Sequence, residues 1–455
     1  MPDLLLTIAS FVVALAILIA VHELGHFWVA RRLGVKVLRF SIGFGRPLLR
    51  RVSPKDGTEY VVAAIPLGGY VKMLDEREEA VPPELADRAF NRQTLWKRSA
   101  IVAAGPLFNF LFAILAYWGL LVAGDVGTRP LVGEVEPGSV AAQAGFAPGD
   151  ELLAVGNRLT PTWEAAVFSL MAEVLNGKDL PVRVRDASGG ELVRMLDGQA
   201  LAALPDDPAL LGNLGLAPAR PVLPPVIGTL LPGEPAALAG MAPGDRVLSV
   251  AGQRLDAWDE LVERVKTHAG QPLRLEIERD GRVRELVVTP KPTADADGAT
   301  IGRIGASPQV SDELLAAYRT EVRLGPIAAL AGAFEKTADM TVLMLRVIGR
   351  MLMGRASVEN LSGPISIAET AGKTASYGLT YFIKFLAVVS ISLGVLNLLP
   401  IPILDGGHLL YFAVEAVKGS PLSEQAQIQG QRIGLALLAA LMTLAFYVDI
   451  SRLLG

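Results

Sequence analysis

Apolar and polar positions along the chain segregate into blocks. Four stretches, about 4–28, 100–123, 380–404 and 433–451, stay apolar for long enough to cross a bilayer as helices. Asp449 cuts into the last of them. Between the first two, residues 35–40, 60–65 and 68–71 read as short strands separated by glycine and proline. Residues 323–354 follow a different pattern, with Arg323, Glu335, Lys336, Asp339, Arg346 and Arg350 recurring through apolar patches. Charges spaced in this way predict an amphipathic helix on the outer membrane face rather than a fifth span.

The long segment between the second and third stretches is a duplication. Residues 132–163 align with 227–258 at a constant offset of 95, with fourteen of thirty-two positions identical. Pro137-Gly138, Ala141-Ala142, Ala144-Gly145, Ala147-Pro148-Gly149-Asp150 and Trp163 recur as Pro232-Gly233, Ala236-Ala237, Ala239-Gly240, Ala242-Pro243-Gly244-Asp245 and Trp258. Each copy predicts a strand, a short Ala-rich helix closed by Gly145 or Gly240, a Pro-Gly-Asp turn and a second strand. That order resembles a circularly permuted PDZ domain, a fold that binds extended peptides by strand addition. Pro221 to Pro225 is the expected hinge between the copies.

Composition agrees with the blocks. Hydrophobic residues make up 51% of the 455 positions and mean hydropathy is +0.41, so part of the chain lies in lipid. A net charge of −4 is too small to imply a nucleic-acid partner. The absence of cysteine excludes disulfides and thiolate zinc sites, leaving histidine and carboxylate to hold any metal. Met1-Pro2-Asp3 supplies no basic leader and no small-residue cleavage site follows, so the first stretch is expected to be a retained helix. Arg31, Arg32, Lys36 and Arg39 follow the first span, and Arg92, Lys97 and Arg98 precede the second. The connecting segment is therefore expected to be cytoplasmic, with both termini and the duplicated region on the outer side.

The candidate chemistry sits at the end of the first span, in His22-Glu23-Leu24-Gly25-His26. On a helix, positions i and i+4 share a face, so two imidazoles can reach one zinc ion while Glu23 stands beside a metal-activated water as general base. A catalytic zinc needs a third protein ligand. Asn397-Leu398-Leu399-Pro400-Ile401-Pro402-Ile403-Leu404-Asp405-Gly406-Gly407-His408 offers two, Asp405 and His408. Asp405 falls near the inner end of the third span, the level of His22 and His26, and a carboxylate at membrane depth is a functional signal. Pro400 and Pro402 are expected to break the helix there. Asn397 faces that break, either as a donor to a substrate carbonyl or oxyanion or as an interhelical hydrogen bond. Lys384, in the outer half of the third span, is expected to snorkel outward.

His22-Glu23-x-x-His26, Gly105-Pro106-x-x-Asn109, and Asn397-x-x-Pro400 followed by Leu404-Asp405-Gly406 together resemble the site-2 protease family of intramembrane zinc metalloproteases. The resemblance covers nearly the whole chain. It implies one catalytic zinc ion held by His22, His26 and Asp405, Glu23 as the base, and Asn397 as a substrate or oxyanion contact. It also implies that residues 35–72 form a membrane-reentrant β-loop in which Gly43-Phe44-Gly45 handles substrate. The implied substrates are single-pass membrane proteins, an anti-sigma factor after prior trimming and remnant signal peptides, with the PDZ pair excluding bulky outer domains. The implied location is the bacterial inner membrane, with the PDZ domains periplasmic and the site near the cytoplasmic leaflet.

The expected fold is thus a multi-pass α-helical membrane protein with four transmembrane helices, a membrane-reentrant β-loop and two tandem circularly permuted PDZ domains of α+β type on the outer side. Its expected limits are 1–30 (first span with the zinc motif), 31–97 (cytoplasmic and reentrant β region), 98–124 (second span), 127–222 and 223–308 (PDZ domains), 309–378 (amphipathic membrane-surface region), 379–405 (third span), 406–432 (cytoplasmic loop) and 433–452 (fourth span). Two other functions compete with proteolysis. A silent PDZ membrane adaptor with a structural zinc has no use for Glu23, and a metal transporter has no use for two peptide-binding modules.

Overall fold

The computed structural model describes residues 4–78, 80–174, 177–205, 210–294, 299–353 and 363–454. Met1 to Asp3 and the other intervening residues, with the parts of the expected ranges that fall on them, lie outside that description. The chain divides into two compact units, 4–125 with 322–454 and 126–205 with 210–321.

The first unit begins with α1 (Leu4–Arg32), then β1 (Val37–Val52) and β2 (Glu59–Met73), and α2 (Leu95–Ala123). β1 and β2 form one long antiparallel hairpin that curls over, so that Arg39 to Ile42 also lie beside Glu59 to Val62. The curl is made where Gly43 and Gly45 adopt φ of +90° and +87°, values open to glycine and costly for other residues. Across it, Arg39 donates to Tyr70 Oη at 3.0 Å, and Glu59 pairs with both Arg39 and Arg50. The base of the hairpin packs on α1 and α2 through Ala30, Val35, Val37 and Ile101.

The second unit opens within β3 (Asp125–Thr128), whose first residue, Asp125, belongs to the first unit. Its first copy contains β4 (Val132–Val135), α3 (Val140–Gln143), β5 (Glu151–Val155), β6 (Arg158–Leu159), α4 (Trp163–Val174), β7 (Leu180–Arg185), β8 (Glu191–Leu196), α5 (Gly198–Ala202), α6 (Leu210–Leu214) and β9 (Leu216–Pro218). The second contains β10 (Ile227–Leu230), α7 (Pro235–Leu238), β11 (Arg246–Val250), β12 (Gln253–Arg254), α8 (Trp258–Thr267), β13 (Leu273–Arg279), β14 (Arg282–Val288), β15 (Lys291–Ala294), β16 (Thr300–Arg303) and β17 (Ala306–Pro308). The sheets have the same order, β6-β5-β7-β8 and β12-β11-β13-β14, and in each copy the last strand returns to pair with the first. Each sheet buries its own core, around Trp163 and Leu170 in one and Trp258 and Leu261 in the other. The repeated aspartates are buried: Asp150 and Asp245 accept from the N–H groups of Ala147 and Ala242 at 3.1 and 2.8 Å and pair with Arg194 and Arg279 at 3.2 and 2.6 Å. α9 (Asp312–Tyr318) and β18 (Arg319–Val322), which pairs with β3, end the unit.

The chain then completes the first unit with α10 (Pro326–Leu352), α11 (Pro364–Ser376), α12 (Leu379–Leu398), α13 (Asp405–Lys418) and α14 (Glu424–Leu454). Among the described residues four helices, α1, α2, α12 and α14, are long and apolar enough to cross a membrane. α10 coincides with the expected amphipathic helix but packs lengthwise on α2 and α12. Ala333, Met340, Met344 and Ile348 lie against Ala113, Tyr117, Ala387 and Ile391. Lys384 does not extend freely from α12; it pairs with Asp125 at 2.5 Å. The expected third span ends early, at Leu398, and the expected loop 406–432 contains most of α13.

Candidate metal centre

α1 and α2 approach closely because two glycines let them. A side chain on Gly25 would strike the Ala104 carbonyl, and one on Gly105 would strike the rings of His26 and His22. The backbone of α2 is thereby the wall behind both imidazoles. His26 Nδ1 lies 2.8 Å from the Ile101 carbonyl oxygen, which can only accept, so Nδ1 carries the proton and Nε2 presents a lone pair. His22 Nδ1 lies 3.1 Å from the Asn109 carboxamide.

Asp405 arrives from beyond the break that Pro400 and Pro402 make between α12 and α13. Ile403, two residues before it, has φ of 145°, a conformation that is strained for a β-branched residue. Gly406 and Gly407 leave no room for side chains against the backbone of Leu398, Leu399 and Ile401, so the start of α13 is pressed onto the end of α12. At its other end α13 is clamped to α2: Arg98 makes two bonds to Glu415, at 2.6 and 3.2 Å, and its guanidinium lies 5.0 Å from the centroid of the Phe412 ring.

The three groups converge. His22 Nε2 and His26 Nε2 are 3.2 Å apart, and Asp405 Oδ2 is 3.2 Å from the first and 3.5 Å from the second. Asp405 Oδ2 is buried and has no hydrogen-bond partner among the described residues. Two ligands held about 2.0–2.1 Å from a tetrahedral zinc are separated by roughly 3.3 Å, so these spacings and this donor set fit the metal.

Glu23 is 9% exposed and touches the hairpin: a side chain on Gly69 would meet its Cγ. The hairpin residue beside Glu23 is therefore Gly69, which pairs with Ile42. Gly43, Phe44 and Gly45 sit at the curl, where the Phe44 ring covers Gly68 and stacks on Tyr70 with centroids 6.2 Å apart. Asn397 is half-buried in the last turn of α12, and no hydrogen bond or ion pair among the described residues joins it to the triad. His408 is exposed on α13, edge-on to Tyr411, and is not part of the cluster. Sequence reasoning placed Gly25 and Gly105 inside motifs but assigned no packing role to them or to Gly69. The available signal was glycine inside otherwise apolar helical or strand segments, which marks close backbone approach.

A profile of peptidase family M50 matches residues 10–441. The regulator of sigma E protease of Salmonella typhi is 45% identical over 453 residues, with both chains covered completely. The regulator of sigma-E protease RseP of Escherichia coli (strain K12) is 46% identical over 459 residues, again over the whole of both chains. A putative zinc metalloprotease of Vibrio cholerae is 44% identical over 456 residues and 100% of each chain. The motif resemblance is borne out: the chain belongs to peptidase family M50 and is a membrane-embedded zinc metallopeptidase.

Proposed function

We propose that this protein cuts single-pass membrane proteins inside their transmembrane segments, at one zinc ion held by His22, His26 and Asp405. The observation that carries this reading is the meeting of their three donor atoms among apolar helices, with Glu23 and the hairpin residue Gly69 alongside. Zinc in that position supplies a Lewis acid that lowers the pKa of water toward neutrality and polarises a scissile carbonyl. Glu23 takes the proton from water and returns it to the departing amine. The amide of Asn397 donates to the substrate carbonyl or oxyanion.

A transmembrane helix has its backbone bonds satisfied internally, so it must unwind before a peptide bond can be attacked. The curled hairpin suits the unwound segment. Its strand edge supplies main-chain partners by β-addition, with Gly43, Phe44 and Gly45 shaping the curl as a membrane-reentrant loop. Trp28 and Trp96, exposed on α1 and α2, are the kind of residue found at a membrane interface. His26 and His22 precede Trp28 by two and six residues, which puts them roughly 3 and 9 Å deeper along the helix.

The location is the bacterial inner membrane, with both termini and the duplicated unit periplasmic and the site toward the cytoplasmic leaflet. The two copies are circularly permuted PDZ domains that reject substrates with bulky outer domains. The names of the full-length relatives support a substrate that controls a sigma factor, namely a trimmed single-pass anti-sigma factor, with remnant signal peptides as a second class. The test is to incubate the purified protein with a trimmed single-pass substrate and locate the cut by mass spectrometry. A cut inside the apolar stretch is expected; cuts confined to residues outside it would overturn the reading.

A further inference from the structure

One motif residue has no role in the chemistry above. Asn109 is 0% exposed and lies on α2, one turn from Gly105. Its main-chain carbonyl accepts from Ser390 Oγ at 2.9 Å, and Ser390 is also 0% exposed, so the residue is fixed between α2 and α12. Its carboxamide nitrogen is 3.1 Å from His22 Nδ1, and its carboxamide oxygen is buried with no partner among the described residues.

The two histidines are thus held differently. A carbonyl that can only accept fixes the tautomer of His26. A carboxamide can do either of two things. If its nitrogen donates to Nδ1, the ring proton moves to Nε2 and His22 loses the lone pair aimed at Asp405 and His26. If its oxygen faces the ring, it accepts from Nδ1–H, and Nε2 stays bare. A half-turn of the amide exchanges the two without moving the backbone.

We propose that Asn109 is a positioning residue for the metal: its carboxamide oxygen accepts from His22 Nδ1–H, fixing the tautomer and ring plane that turn the Nε2 lone pair toward zinc. This rests on the zinc reading above. Partners of this kind typically change metal affinity by about 10- to 100-fold when removed.

The experiment uses the full-length protein in detergent, with ¹⁵N-labelled histidine and a chelator competition for zinc. Only four histidines contribute signals. Wild type is expected to show a slowly exchanging His22 Nδ1–H and to bind zinc. Asn109→Leu, which keeps the size and loses the acceptor, is expected to weaken zinc about 10- to 100-fold and to mix the His22 tautomers. The His26 Nδ1–H signal, held by the Ile101 carbonyl, should persist and report that the variant is folded. Asn109→Asp, which can only accept, should restore zinc affinity to within a few-fold of wild type. The assignment to Asn109 is overturned if wild type shows His22 protonated on Nε2, if the leucine variant binds zinc as tightly as wild type, or if the aspartate variant loses as much as leucine. Wild type that binds no zinc overturns the metal reading itself.

Discussion

Two carboxylates in the same helical unit, each with a buried oxygen, are treated in opposite ways. Asp449, 1% exposed on α14, accepts from the N–H groups of Gly363, Ile365 and Ser366 at 3.0, 2.8 and 3.2 Å and from Ser366 Oγ at 2.5 Å. It caps the N-terminus of α11 from a distant helix, meeting free N–H groups with negative charge. Asp405 Oδ2 is also buried, yet it faces two imidazole nitrogens and finds no hydrogen-bond partner among the described residues. A buried acceptor surrounded by donors holds structure together, whereas one surrounded by other lone pairs is a site for a cation.

The sharpest way to break this comparison is to crowd the proposed cation site without replacing any of its side chains. Gly105→Ala puts a methyl group against both imidazoles. It is expected to weaken zinc binding by at least about 10-fold, measured by chelator competition. Asp449→Ala should act on the other carboxylate alone, costing roughly 3 kcal/mol by leaving several donors unpaired, read as a lowered Tm in detergent. Zinc affinity at matched folded fraction should not change. If Asp449→Ala strips zinc while Gly105→Ala does not, the two carboxylates have been assigned the wrong way round.

The smallest effect concerns a third buried carboxylate, in the duplicated unit. Burial would raise the Asp245 carboxyl, but Arg279 and the Ala242 N–H outweigh it and hold it below the ordinary carboxylate range. Its folded value is therefore depressed. The stability it contributes is present above the unfolded value of about 3.9 and is lost as pH falls from there through the folded value. Asp245→Asn is expected to lower Tm at pH 7, and the gap to wild type should narrow as pH drops below about 4. A gap that stays constant with pH would show that the pair contributes through shape alone.

What the sequence disclosed follows from the range of each interaction. His22, Glu23 and His26 are legible because an i, i+4 spacing is a local property of a helix. The duplication is legible because its offset is constant and its turns carry fixed residues. Asp405 is recognisable as a ligand type, but that it opens a separate helix depends on Gly406 and Gly407 packing against the end of α12. Gly105 stands in a recognisable motif, but the close approach that it and Gly25 allow between α1 and α2 was not legible, since it depends on which helix passes nearby. Asp449 looked like an interruption in a span because its partners are more than eighty positions away. The amphipathic pattern of α10 specified an apolar face and left open whether lipid or α2 and α12 would cover it.

The central claim is that His22, His26 and Asp405 hold zinc while Glu23 moves the proton. It is tested most directly by measuring metal content and cleavage side by side in wild type, Glu23→Gln and Asp405→Asn. Glu23→Gln should retain zinc and lose cleavage by a factor of about 10² or more, the scale of a removed general base. Asp405→Asn should lose both zinc and cleavage. Zinc and activity persisting together in Asp405→Asn, or undiminished cleavage by Glu23→Gln, would contradict it.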